Sequence, residues 1–284
     1  MKKITNWNGE IVEVAGSRGS GVIGFMNYED NLVIPGRLRD SNNLFYPWWP
    51  YPDILTKLEQ SNHIRDYQKN DIWDLRRHLG FYCDLQSVNS EDAITWSVFG
   101  SLNCFHMNER LGFYNELLKR IGYEDANEKT CFIRNWQRIG HPDTFYLGTD
   151  RTVSHSPGIR TILQLSKKTS VPELDLMIIS ENFVVFGEAK WGGDIARNQG
   201  VNKDKDQLEI RLEYFNTLGK TLFSDKEQVL LFVNIDGEVE TKIKDELKII
   251  TWAELCNEFK HPLQDELKRY YDFKLNWKDR KFQS

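Results

Sequence analysis

The chain has 284 residues, enough for one large domain with additions or for two modest ones. Hydrophobic residues make up 40% and aromatic residues 13%, so a packed core is expected and wholesale disorder is excluded. The formal charge of −5 excludes a histone-like or polybasic binder, but not a nuclease, which needs only a local basic face to meet phosphate.

No apolar run reaches the roughly 18 residues of a membrane-spanning helix, so no membrane partner is expected. The opening "MKKITNWNGEIVEV" has two lysines but no apolar stretch behind them, so no signal peptide is expected. Cys83, Cys104, Cys131 and Cys256 are widely spread, with no CxxC and no histidine at zinc spacing. Free thiols in a reducing cytoplasm are the expectation.

In chain order, residues 1 to about 45 read as short strands broken by glycine turns: "EIVEVAG", "GVIGFMNY" and "NLVIPGRL". "GSRGSGVIG" has the glycines of a phosphate loop, but Val22-Ile23 stand where Lys-Ser/Thr should, so a hairpin turn is predicted. "NLFYPWWPYPD", residues 43–53, is too rich in proline for a helix. Its aromatics suit packing between parts of the chain, with base stacking as the alternative. Residues 53 to 80 read as helical, with Gly80 as a C-cap.

From residue 88, "NSEDAITWSVFGSLNCFHMNERLGFYNELLKRIGY" predicts a long helical stretch. Asn89 or Ser90 can cap it, and Glu91 and Asp92 fill the first turn, where the helix dipole favours acids. Residues 110 to 170 hold ten basic and six acidic residues, a local surplus that suits either a phosphate-facing side or an ordinary solvated surface. His155 lies in this stretch and is expected at the surface.

"VVFGEAKWGG", from Val184 to Gly193, carries the chemistry. The pattern Glu/Asp-x-Lys begins at Glu188, Glu240, Glu246, Glu258, Glu266, Asp272 and Asp279, so the letters alone carry little. Most of the other six sit in polar surroundings, where a surface ion pair of small energy is expected. The Glu188 copy ends a β-rich run, and a period of two puts Val184, Phe186, Glu188 and Lys190 on one face. "PELDLMIIS", from Pro172 to Ser180, reads as an antiparallel partner that brings Asp175 beside Glu188. Glu173 shares the face of Asp175 and is the alternative acid. Two convergent carboxylates repel each other, and burying them without a cation is costly. An oxygen-only ligand set suits Mg²⁺ or Mn²⁺, and a lysine beside it can hold a water and neutralise a phosphate. Phosphodiester hydrolysis is the chemistry expected, against the alternative of a structural ion cluster.

At these residues the sequence resembles the PD-(D/E)xK nuclease superfamily, which has the restriction-endonuclease-like fold. The resemblance rests on Asp175, twelve intervening residues and Glu188-Ala189-Lys190, although the family's proline usually stands directly before the first acid and here Pro172 does not. It implies that Asp175 and Glu188 are metal ligands, that the Ala189 carbonyl is a backbone ligand and that Lys190 is the catalytic lysine. It also implies an acid on the helix before the hairpin, for which Glu91 is the candidate, and a glutamine on the helix after it. "DKDQLEIRLEYF" supplies Gln207, with Arg211 one turn on and on the same face. "QVLLFVNI" reads as a buried strand, and "KIITWAELCNEF" as a strand entering a helix through a Thr251–Glu254 capping box.

The expected fold is therefore α/β, a restriction-endonuclease-like core with a mixed central sheet flanked by helices and a small β-rich N-terminal region. Residues 1–80 are expected to form an accessory region for specificity, dimerisation or sensing, and 81–284 the nuclease domain. The function implied is a Mg²⁺-dependent endonuclease acting on DNA in bacterial restriction or antiviral defence. An RNA-directed nuclease, or a silent module binding nucleic acid or protein, is the alternative. A second copy of the chain or a defence-system protein is an expected partner.

Overall fold

The computed structural model describes residues 2–16, 22–35, 54, 57, 84–138, 173–198, 203–278 and 280. It is an α/β structure with a mixed five-stranded sheet flanked by helices and a small antiparallel three-stranded sheet. Contacts divide the chain into two compact units, Met1–Phe105 with Cys256–Ser284, and His106–Leu255. The boundary expected near residue 80, the aromatic segment 43–53, Gly80 and His155 lie outside the described residues, as does all of the 53–80 stretch except Ile54 and Lys57.

In the first unit, β1 (Lys2–Thr5), β2 (Ile11–Gly16) and β3 (Ile23–Phe25) form the small sheet, with antiparallel pairing throughout. β2 and β3 are antiparallel neighbours, as the hairpin expectation requires. "NLVIPGRL" does not add a strand in its described part. A 3₁₀ turn at Tyr28–Asn31 is capped by Asn27, and the chain then runs on buried with the Val33 N–H donating to Ser97 Oγ at 3.0 Å. A side chain on a helix thus takes the place of a ladder partner.

The long helix expected from residue 88 is two helices. α1 (Glu91–Val98) begins at Ser90, whose hydroxyl accepts from the Ala93 N–H at 2.9 Å. It gives way to a 3₁₀ turn at Gly100–Cys104 before α2 (Met107–Arg120) begins. Ser97 and Ser101 donate back to the carbonyls four residues earlier at 2.7 and 2.6 Å, a habit that bends helices, and Gly100 is a poor helix former.

The second unit holds the large sheet, in the order β4 (Cys131–Arg138), β5 (Glu173–Ser180), β6 (Phe183–Ala189), β7 (Glu227–Asn234) and β8 (Lys248–Thr251). β4, β5 and β6 pair antiparallel, whereas β6, β7 and β8 pair parallel. The sequence reading missed β4, whose buried Cys131 and Ile133 alternate with exposed Phe132 and half-buried Arg134.

α3 (Gln207–Tyr214) crosses from β6 to β7 on one face of the sheet, where Leu208, Tyr214 and Phe215 join a cluster with Met177, Val184, Phe186 and Phe232. Asp206 and Glu209 cap it reciprocally, each side chain accepting from the other's backbone N–H at 2.8 Å. α2 buries Phe113, Tyr114, Leu117 and Leu118, and its Tyr114 hydroxyl reaches Ser180 of β5 at 3.1 Å. α4 (Trp252–Asn257) starts from the expected capping box: the Thr251 N–H donates to Glu254 at 2.9 Å and the Glu254 N–H donates to Thr251 Oγ1 at 3.2 Å. α5 (Gln264–Trp277) closes the first unit's core, its Tyr270 hydroxyl donating to the Asn31 carbonyl at 2.6 Å.

Candidate active site

β5 and β6 form the hairpin that the sequence predicts, in a register that pairs Leu176 with Gly187 and Met177 with Phe186. Antiparallel partners point to one face, so Asp175, Met177, Val184, Phe186 and Glu188 share the face that α3 covers. Gly187 has a specific cause. A Cβ there would lie 2.9 Å from the Leu176 Cβ, closer than two such atoms can approach, so only glycine lets the strands pair this tightly beside Glu188.

Glu188 is 1% exposed, and donors surround its carboxylate. Lys190 Nζ donates to Oε1 at 3.1 Å, Gln207 Nε2 donates to the same oxygen, and Arg211 Nε donates to Oε2 at 2.9 Å. Arg211 also ties the helix to β5, its Nη2 donating to the Glu173 carbonyl at 2.6 Å. The strand ends at Ala189, one residue short of Lys190, yet the Lys190 backbone stays fixed. Its N–H donates to the Val233 carbonyl at 2.8 Å, and its own carbonyl accepts from the Trp252 indole at 2.9 Å. Asp175 is half-buried, and its Oδ2 accepts from the Ala189 N–H at 2.9 Å, so the first acid is anchored on the second acid's strand.

The structure thus brings Asp175, Glu188, Ala189, Lys190 and Gln207 together, and adds Arg211 as the second cation on Glu188. Glu173 contributes its backbone carbonyl to Arg211 and is itself half-buried. Glu91 opens α1 in the other unit, where its carbonyl accepts from Thr95 Oγ1 at 2.7 Å. Reading the sequence did not anticipate Trp252, which locks Lys190, although its place directly after β8 was the available signal. Nor did it anticipate Trp136, buried at a positive φ of 54° in β4. The β4–β5 register pairs Asn135 with Leu176 and Gln137 with Leu174, which puts Trp136 opposite Asp175. A bulky residue held in the left-handed region costs on the order of 1–3 kcal/mol, and such strain gathers at functional sites.

The donor set only partly fits the divalent ion that the resemblance implies. Asp175, Glu188 and the Ala189 carbonyl are hard oxygen donors of the right chemistry. Both Glu188 oxygens, however, already accept from amide, ammonium and guanidinium donors. Among the described residues no three His, Cys, Asp or Glu side chains are placed to hold a metal ion. As arranged, Glu188 is a partner for cations on side chains and does not fit a metal ion. Burial pushes Cys131 up to about 11 and raises Cys256 as well, which disfavours thiolate chemistry at these two cysteines.

Comparison with known proteins yields no family model, no curated relative and no solved structure that matches this chain.

Proposed function

We propose that the chain is a nuclease of the PD-(D/E)xK kind, hydrolysing phosphodiester bonds in DNA. The observation that carries this is the buried Glu188–Lys190 pair, with Asp175 on the adjoining strand and Gln207 and Arg211 above it. Buried ion clusters are weak stabilisers compared with apolar residues of the same volume, so stability alone is a poor reason for this one. A water attacking phosphorus forms the new P–O bond as the bond to the leaving sugar oxygen breaks, and the proton that the water sheds is in the net reaction the one that the leaving oxygen takes up. Lys190 Nζ is the group that would orient that water, and Arg211 is the guanidinium that would meet the phosphate's charge. Asp175 is the carboxylate nearest to solvent in the set. The resemblance calls for Mg²⁺ or Mn²⁺, which Asp175 and the Ala189 carbonyl would hold together with Glu188 only once a side-chain donor has left the Glu188 carboxylate. DNA as substrate, a cytoplasmic setting and a role in restriction or antiviral defence rest on the resemblance alone.

The saturation of Glu188 favours a second reading, a silent module that binds nucleic acid or a protein and keeps the cluster for structure. Nicking of supercoiled plasmid with Mg²⁺ or Mn²⁺ separates the two readings. Lys190→Ala and Asp175→Asn should each lose about 100-fold or more in rate. Equal nicking by wild type and both variants would sink the catalytic reading, and binding without cleavage would establish the module.

A further inference from the structure

β4, the edge strand of the sheet among the described residues, carries an arrangement that the proposed chemistry leaves unused. Its register pairs Phe132 with Ile179 and Arg134 with Met177, so both side chains stand on the face of Asp175 and Glu188. α3 packs over the middle of that face and buries Met177 and Phe186. Phe132, at the sheet's edge, is 58% exposed, whereas the alternate residues Cys131 and Ile133 are buried on the opposite face. Glu188 is buried and Asp175 half-buried, and Asp175 lies on the strand that pairs with β4.

We propose that β4 is a track for an unpaired nucleic-acid strand: Phe132 stacks on a base, and Arg134, between it and the site, meets the backbone phosphate. This inference rests on the nuclease reading and deepens it by naming the substrate as single-stranded. A phenyl ring offers its face to any base, but a base within a duplex is already stacked on both sides, so the contact selects an unpaired one. Four residues of strand separate Phe132 from Trp136 opposite Asp175, about 13 Å at the usual rise. The stacked base therefore belongs to a flanking nucleotide rather than to the one that is cut. A second copy of the chain is the poorer occupant, since a charged arginine on an edge strand works against strand-to-strand pairing.

The test uses the full chain in EDTA, so that nothing is cut, with three fluorescein-labelled probes of one sequence: single-stranded DNA, the matching RNA and the DNA duplex. Anisotropy should show Phe132→Ala binding single strands about tenfold more weakly, with the duplex unchanged. Phe132→Trp should restore the affinity, and Arg134→Ala should lower the salt slope on single strands by about 0.7. Because Phe132 is exposed, Phe132→Ala and Phe132→Trp should keep the wild-type melting midpoint, measured alongside. Equal binding of single strands by wild type and Phe132→Ala overturns the track, as does a wild type that prefers duplex. A wild-type dimer that Phe132→Ala dissociates without touching nucleic-acid affinity also overturns it, in favour of a second copy. If the track fails while wild type still nicks plasmid, the nuclease reading survives. If wild type neither binds nor cuts, both fall.

Discussion

Glu188 shows why a single residue's chemistry depends on its neighbours. With Lys190 and Arg211 both on its carboxylate, removing it leaves two cations facing each other in a site almost closed to water. Glu188→Ala should therefore cost about 3–5 kcal/mol in urea unfolding. The combined variant Glu188→Leu, Lys190→Met, Arg211→Met should recover most of that loss or exceed wild type, while showing no nicking. A triple variant as unstable as the single one would mean that the cluster is a structural necessity. Gly187 gives a sharper steric prediction. Gly187→Ala should cost about 1–3 kcal/mol through the clash with Leu176, whereas Gly193→Ala, whose added Cβ meets nothing within 4 Å, should be neutral. Side by side, the two melting curves test whether the clash is real.

At the level of elements, α5 carries the clearest pH dependence. The Glu/Asp-x-Lys copy at Asp272–Lys274 departs from the surface pair expected of it. Lys274 is fully buried, its Nζ donating to the Val88 and Ser90 carbonyls at 2.7 and 3.0 Å. Burial brings Lys274 down to about 7 from an ordinary value of 10.5. The folded chain then sheds this proton near pH 7, while the unfolded chain holds it to about pH 10.5. Between those values the unfolded state binds more protons, so this contribution to stability rises with pH, and the destabilisation is complete below pH 7. Lys274→Met should remove that rise, and urea midpoints at pH 6, 8 and 10 for both proteins would show it. His261 adds a lower window. Burial holds it near 4 against an ordinary 6.5, so protonation weakens the fold as pH falls from 6.5 toward 4.

Across the whole molecule, the chain returns to complete its first unit. Residues 256–284 group with residues 1–105, and α5 supplies Tyr270 to the Asn31 carbonyl and Lys274 to the start of α1. Ending the chain after Asn257 should strip those partners and expose Val88 and Asn31 backbone groups. Hydrogen exchange should then show residues 84–105 losing protection while β5, β6 and β7 keep theirs. Protection lost equally in both units would instead mean that they unfold as one.

Much of the site was legible because its signals are local. Alternation placed Asp175 and Glu188 on one hairpin, three-residue spacing marked the Thr251–Glu254 cap, and four-residue spacing put Gln207 and Arg211 on one side of α3. β4 escaped because its partner, β5, lies some forty residues on, and in a basic stretch its alternation looks like ordinary surface. The break between α1 and α2 escaped because serines bonding backwards decide it rather than hydrophobic period. The sequence by itself determined the α/β class, the hairpin and the residue types brought together at its open end, since period and capping act within a few residues. Only the tertiary structure decided that Glu188 is held by two cations and an amide, that Trp136 is strained opposite Asp175 and that Phe132 stands exposed farther along the same strand. Each of these depends on which distant strand or helix fills the neighbouring space, and no local spacing encodes that.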